Sequence, residues 1–373
     1  MTEPSLHLVV PGPLEQRTGG YLYDARMAEG LRRRGWRVIV HSLCGAFPDA
    51  DDAARASLTE ALAGMPDGAA VVVDGLALGG LPEPVAAHRR RLRILALVHH
   101  PVSDETGLAA EVRARLADRE RRALAVADGV IVTSPFTARG LRRFGVDAGR
   151  VRVVEPGTDP APRRSADPAP DAPPLLLSVG AVVPRKGHDV LVRALARLAH
   201  LSWECVCAGS LDRHPDHADR VLAGVEARGL TGRVRFTGEC DAAALAALYA
   251  DSEVFVLASF YEGYGMVLAE ALAHGLPIVS TTGGAIPETV PADAALLVPP
   301  GDEGALADAL ATLLAGGVEG AAVDSGAQRR AALAAAARRH AASLPTWGDA
   351  AAAFAAAVAD LAGTGGAEER ASR

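Results

Sequence analysis

The 373-residue sequence predicts an α/β protein of two doubly wound domains. Three observations carry that prediction. Short apolar, β-branched runs alternate with helical stretches along the whole chain, as in repeated β-loop-α-β units with parallel strands. A proline-rich segment, Pro160 to Pro174, interrupts the alternation once. The length suits two domains, and 49% hydrophobic residues suffice for two cores.

In chain order, Leu6–Val10 reads as the first strand, ended by Pro11-Gly12-Pro13. A loop runs to Thr18-Gly19-Gly20, a helix follows to Gly35, and Arg37–Val40 is the second strand. Val71–Asp74 is the third strand and Arg93–Val98 the fourth, the latter ending at His99-His100-Pro101. A histidine pair at the C-terminal end of a parallel strand stands where doubly wound sheets bind ligands, so both histidines are site candidates. Residues 105–127 read as a helix whose Arg and Glu residues form a solvated face. Gly129–Ser134 and Val151–Val154 complete the first set of strands. The second domain opens with the strand Leu175–Val179 and the loop Gly180–Gly187, then a helix over 188–200 and the strand Trp203–Ala208, which ends at Gly209.

The most informative stretch is Ser259–Glu288. The buried-strand run Val254–Leu257 leads into a loop holding Glu262, Gly263 and Gly265. Met266–Ala273 follows, a helix apolar on every side except for Glu270, stopped by Gly275 and Pro277. At about 1.5 Å per residue, Glu270 lies roughly 7 Å into that helix. Two acids therefore flank one helix N-terminus, whose free amides and dipole favour an anion. A buried carboxylate needs a partner. Either Glu270 pairs with a buried arginine while Glu262 caps the helix, or both hold an external ligand.

Composition narrows the function. A net charge of −7, from 38 basic and 45 acidic residues, argues against a general nucleic-acid binder. The four cysteines have no zinc spacing and suit a reducing, cytoplasmic setting; Cys205 and Cys207 alternate within a strand. The N-terminal sequence does not read as a signal peptide, and no run of about 20 apolar residues predicts a membrane span. Asp49-Ala50-Asp51 reads as charge at a helix start rather than a metal motif. His214 and His217 have no further converging ligand, so no metal is expected there. Neither a G-x-G-x-x-G nor a G-x-x-x-x-G-K-[ST] loop occurs. Arg32–Arg34 and Arg89–Arg91 read as solvated helix ends, with peripheral contact to an anionic membrane the less favoured reading. Lysine occurs once, at Lys186, where a compact ammonium beside a phosphate would explain its retention.

Glu262 and Glu270, with the seven residues between them, resemble the E-x7-E signature of retaining glycosyltransferases of family 4, which have the GT-B fold. Further segments agree in order. Gly180–Gly187 is similar to the family's G-x-x-x-x-x-K-G loop, Arg235–Gly238 to a V-x-F-x-G segment, Gly283-Gly284 with Glu288 to GG-x-x-P-E, and Ala295–Asp302 to G-x-L-V-x-P-G-D with Ala295 in place of glycine. In the first domain Pro156, Gly157 and Asp159 match P-N-G-x-D, with Glu155 out of pattern.

The resemblance implies a retaining, metal-independent transfer of a hexosyl group from a UDP- or GDP-sugar to a hydroxyl acceptor, whether a small molecule, a glycan or a lipid-linked sugar. No cofactor is implied; the nucleotide-sugar is a co-substrate. It implies that Arg185 and Lys186 hold the donor diphosphate, and that Glu262 with the amides of Gly263, Tyr264, Gly265, Met266 and Val267 holds the sugar. Glu270 would bind the ribose. Gly19, Gly20, Gly180 and Gly209 would face the donor, and His99 would approach the sugar, with His100 where the family usually has an acid. The departing phosphate oxygen would itself take the acceptor proton. A nucleotide-sugar 2-epimerase of the same fold and a non-catalytic nucleotide-sugar-binding module are the alternatives. The expected organisation is a first domain over 1–159, a linker over 160–174, a second domain over 175–345, a helix over 346–362 returning to the first domain, and a disordered tail over 363–373.

Overall fold

The computed structural model describes residues 3–161, 172–315 and 325–363. The linker expected over 160–174 is outside the described residues from 162 to 171, and the expected tail is outside them from 364 onward. The chain divides into two compact units. Unit 1 comprises Met1–Gly157 and Pro345–Arg373, and unit 2 comprises Thr158–Leu344.

Unit 1 contains β1 (Ser5–Val10), α1 (Gly19–Arg33), β2 (Arg37–Ser42), α2 (Asp52–Ala63), β3 (Ala70–Asp74), α3 (Gly75–Gly80), α4 (Pro82–His88), β4 (Arg93–Val98), α5 (Ala110–Val126), β5 (Gly129–Val132), α6 (Pro135–Gly140) and β6 (Val151–Val153). Its six strands are all parallel, in the order β2-β1-β3-β4-β5-β6. Parallel strands covered on both faces are apolar along their length, and β3 and β5 are buried at every residue.

Unit 2 contains β7 (Leu175–Val179), α7 (His188–Arg197), β8 (Glu204–Ala208), α8 (Pro215–Ala227), β9 (Val234–Gly238), α9 (Ala242–Asp251), β10 (Val254–Leu257), α10 (Met266–Ala273), β11 (Ile278–Thr281), α11 (Ile286–Thr289), β12 (Ala295–Val298), α12 (Glu303–Leu314) and α13 (Gly326–Ala341). Its six strands are also parallel, in the order β12-β11-β10-β7-β8-β9. Cys205 and Cys207 are buried in β8, facing the core under α7 and α8.

The last described helix, α14 (Trp347–Ala362), belongs to unit 1 and packs on α1. Phe354 is fully buried there, with the Tyr23 and Phe354 rings 6.3 Å apart, edge-on. Thr346 and Asp349 form a capping box that starts α14 after Pro345.

Each strand order reverses direction at one place, and that place selects the site. In unit 1 the chain winds outward in opposite senses from β1 and β3; in unit 2 it does so from β7 and β10. Crevices at the C-terminal ends of such strand pairs are where open α/β sheets bind ligands. The loops after β1, β3, β7 and β10 are therefore the ones the topology singles out.

The structure corrects two readings of helices. The face of α5 is not wholly solvated: Glu120 is buried and accepts hydrogen bonds from the Val102 amide, the Ser103 amide (3.1 Å) and the Ser103 hydroxyl (2.6 Å). Burial pushes its carboxyl pKa up, against the pull of those donors. It tethers the turn that follows His99-His100. The glycines Gly19 and Gly20 do not form a loop but are the first two residues of α1. Asp51 caps α2 by accepting from the Ala54 amide, whereas Asp49 pairs with Arg115 and Arg119 of α5.

Candidate functional site

In unit 2, neighbouring strands β7 and β10 deliver two loops to one place. The β7 loop carries Arg185 and Lys186 in a short 3-10 turn, Pro184–Lys186. The β10 loop carries Ser259–Gly265. The two are stitched together by backbone: the Phe260 amide donates to the Arg185 carbonyl at 2.8 Å, and Arg185 Nη1 donates to the Tyr261 carbonyl at 2.8 Å. A third loop, after β11, closes against the second. The Ala285 amide donates to the Glu262 carbonyl at 2.8 Å, and Gly284 forms a parallel bridge with Glu262. Gly284 has φ +64°, and a Cβ there would stand 2.3 Å from the Glu262 carbonyl oxygen. Only glycine fits that contact.

This framework holds Glu262, which is buried at 6% exposure. Its Oε1 accepts from Lys186 Nζ at 2.7 Å and from the Ser259 hydroxyl at 2.6 Å, and its Oε2 lies 3.4 Å from Arg185 Nη1. Burial would raise the carboxyl pKa; the Lys186 and Arg185 charges outweigh it and bring it down to about 2. Sequence alone assigned the two cations to a ligand and Glu262 to a cap or a sugar. The structure adds that all three pair with one another.

Gly265, at φ +93°, starts α10 with no side-chain cap, so the first amides of that helix have no side-chain acceptor. Met266 and Val267 are half-buried, whereas Gly263, Tyr264 and Gly265 are buried. Helix α10 is not buried on all sides as its composition suggested. Leu268, Ala269, Ala271 and Leu272 face the core, while Glu270 is half-buried and accepts from the Tyr249 hydroxyl at 2.8 Å. Tyr249 is itself buried, and burial together with Glu270 raises its pKa well above the usual tyrosine range, so it acts as a fixed donor. This partner comes from α9, 21 residues away along the chain. Gly180 and Gly209 end β7 and β8; a Cβ on Gly180 would touch the Lys186 side chain at 3.3 Å.

In unit 1, His99 follows β4 and is held among residues the sequence did not single out. Its Nε2 lies 3.1 Å from Asp24 Oδ1 and 3.3 Å from Asp74 Oδ2. Asp24 comes from the second turn of α1 and is 1% exposed; Asp74 ends β3 and is also buried. The Tyr23 ring packs edge-on at 5.3 Å, and its hydroxyl donates to the Val154 carbonyl. Gly20 lets α1 come this close, since a Cβ there would meet His99 Cδ2 at 3.1 Å. Burial opposes charge on His99, but the two carboxylates override it and raise the ring pKa to about 10. Burial raises Asp24 above the usual carboxylate range, partly offset by His99. His100 points elsewhere, with Nε2 3.6 Å from Glu105.

His214 and His217 start α8, with His217 buried and its Nε2 unbonded. Among the described residues, the one group of three or more His, Cys, Asp or Glu side chains close enough to share an ion is Asp24, Asp74 and His99. No helix among the described residues is long and apolar enough to cross a membrane.

The family model described as "Glycosyl transferases group 1" matches residues 173–316, and "Glycosyltransferase Family 4" matches residues 71–162. A D-inositol 3-phosphate glycosyltransferase 2 of Catenulispora acidiphila is 34% identical over 224 residues, covering 55% of this chain and 52% of that protein. A D-inositol 3-phosphate glycosyltransferase of Xylanimonas cellulosilytica is 33% identical over 235 residues, covering 59% and 54%. The chain thus spans about half the length of the curated relatives it matches. Among solved structures, sucrose-phosphate synthase from Thermosynechococcus elongatus superposes with a TM-score of 0.78 at 24% identity, covering 97% of this chain and all of the other. Anabaena HepE in complex with UDP and glucose superposes with a TM-score of 0.71 at 18% identity, covering 96% and 100%. The two matched domains, in the order in which the two parallel sheets occur, make this chain a GT-B glycosyltransferase of the family 4 type.

Proposed function

We propose that the chain transfers a hexosyl group from a nucleotide-diphosphate sugar to a hydroxyl acceptor, with retention at the anomeric carbon and without a metal. The observation that carries this reading is the cluster of Arg185, Lys186 and Glu262 at the β7/β10 crevice, beside the uncapped start of α10. Its two cations and the start of a helix suit a diphosphate. Those cations stabilise the charge that builds as the diphosphate departs.

Glu262 then has a defined part. With a pKa near 2 it is ionised at neutral pH and has no proton to give. It accepts hydrogen bonds from sugar hydroxyls and stabilises positive charge on an oxocarbenium-like transition state. Glu270, oriented by Tyr249, accepts from the ribose hydroxyls. As in the resembling family, the departing phosphate oxygen takes the acceptor proton on the same face, so no protein nucleophile is required.

UDP-glucose is the first donor to try, since UDP and glucose occupy a structural neighbour. Inositol 3-phosphate is the first acceptor, since the curated relatives carry it in their name. The test is a thermal-shift series with UDP-, GDP-, ADP- and dTDP-sugars, followed by anomeric analysis of the product by NMR. A donor at 100 times its Kd stabilises by about 2.7 kcal/mol. No stabilisation by any donor, or a product with inverted configuration, sinks the reading.

A further inference from the structure

We propose that Asp24 and Asp74 are positioning residues for His99: clasping Nε2 between them, they keep the ring an imidazolium and leave Nδ1 as a charged hydrogen-bond donor to a substrate oxygen. That His99 meets a sugar substrate rests on the glycosyltransferase reading; the charge on His99 does not.

The geometry is built on rigid elements. Asp24 stands on α1 and is almost fully buried, so its carboxylate cannot swing to water. Asp74 is locked from its other side: its Oδ1 accepts from the Leu76 amide at 2.7 Å and caps α3, which turns Oδ2 toward His99. His99 is fixed through its backbone as well, its carbonyl accepting from the Thr133 hydroxyl at 3.2 Å. The ring therefore has one nitrogen against two carboxylates. The other nitrogen, Nδ1, makes no hydrogen bond among the described residues and is not among the buried unbonded atoms.

Charge balance sets the state of the ring. A neutral imidazole carries one N–H. Were that proton at Nδ1, Nε2 would present a lone pair to two carboxylates, which is repulsive. Were it at Nε2, Nδ1 would be an acceptor. The doubly protonated ring satisfies the carboxylates and turns Nδ1 into a donor. The charged groups facing His99 are Asp24 from α1 and Asp74 from the end of β3; the Tyr23 ring on α1 packs edge-on against it, and the neighbouring His100 turns to Glu105. The Tyr23 hydroxyl is engaged by the Val154 carbonyl, and burial holds it protonated. From α14 the neighbours are uncharged: Trp347 and Phe354 pack on Tyr23. A cationic donor can serve only a substrate oxygen with a lone pair to offer, a sugar hydroxyl or an anionic oxygen.

The experiment is an NMR titration of the His99 ring in the full chain with labelled histidine, its resonance assigned by His99→Gln, in the wild type, Asp24→Asn, Asp74→Asn and the double variant. The expected wild-type ring stays protonated through neutral pH and titrates roughly two or more pH units above the usual histidine value of about 6.5. Each single variant lowers the midpoint, and the double variant brings it to the usual value or below. Asp74→Asn keeps the α3 cap, since an asparagine oxygen caps equally well; it carries the test if Asp24→Asn does not fold. UDP-glucose affinity is followed over the same pH range. The expected wild-type affinity is flat from about pH 6 to 8, and that of the double variant falls as its lowered midpoint is passed. A wild-type ring that titrates near 6.5, or a midpoint that neither variant moves, overturns the proposal. So does a double variant with a lowered midpoint but a flat affinity. If the wild type binds no UDP-glucose while its ring titrates high, the donor reading fails and the clasp survives.

Discussion

The two units each hold a cluster of three ionisable side chains, and the clusters are opposite in make-up. In unit 2 two cations, Arg185 and Lys186, surround one carboxylate, Glu262. In unit 1 two carboxylates, Asp24 and Asp74, surround one imidazole, His99. The use of the charge differs. The unit 2 cluster sets two cations beside a helix start, which suits an anion. The unit 1 cluster spends its surplus carboxylate on holding one ring in its charged form. In both, burial disfavours charge on the central group and the two flanking groups overcome it, so Glu262 is driven down to about 2 and His99 up to about 10. An isolated buried charge would neutralise; a flanked one is kept.

The largest expected effect comes from removing the lysine. Lys186→Ala takes away the cation closest to Glu262, and turnover with the preferred donor is expected to fall by about 10²–10³-fold. Steady-state kinetics check this, and a loss below tenfold would move the diphosphate elsewhere. Next is Glu262→Gln, which breaks a buried ion pair and is expected to cost on the order of 3 kcal/mol in chemical denaturation.

That pair also predicts a pH dependence. The Glu262 pKa falls from 4.5 to about 2 on folding, so its contribution is present above pH 4.5 and is lost as pH drops toward 2. In Glu262→Gln that acid-side loss should be smaller. The other cluster acts at the opposite end. The His99 pKa rises from 6.5 to about 10 on folding, so its contribution is complete below pH 6.5 and is lost as pH climbs through 10. His99→Gln should flatten the alkaline arm. An alkaline arm that His99→Gln leaves unchanged would mean that His99 does not hold its proton in the folded chain.

Two smaller effects sharpen the unit 2 side. Gly284→Ala puts a methyl against the Glu262 carbonyl in a left-handed conformation and should destabilise by about 2 kcal/mol or more, read as a lower Tm. Tyr249→Phe removes one hydrogen bond to Glu270. It should cost about 1 kcal/mol of nucleotide affinity, a several-fold rise in Kd by calorimetry, with kcat little changed.

Much of unit 2 is legible in the sequence. Glu262, Glu270, Arg185 and Lys186 lie in loops directly after strands, and the chain reaches each within a few residues of a strand end. Local rules suffice for that: β-branched runs end, glycines turn, helices start. The same rules find His99 at the end of β4. They do not find its partners. Asp24 and His99 are 75 residues apart and share no motif, and Asp74 reads from the sequence as the last residue of a strand. Nor do they find Tyr249, or the tether from Glu120 to the turn after His100.

By itself the sequence determined the alternation of strands and helices, the helix start at Asp51, and the end of each strand where a functional side chain could stand. These depend on neighbours a few residues apart. Only the tertiary structure decided which charges meet. The strand orders place β7 beside β10 and β1 beside β3, and so bring Lys186 to Glu262 across 76 residues and α1 to His99 across 75. Coulomb energy depends on separation in space, not along the chain. The sign and protonation of each cluster therefore follow from sheet topology, although every residue in them is written in the sequence.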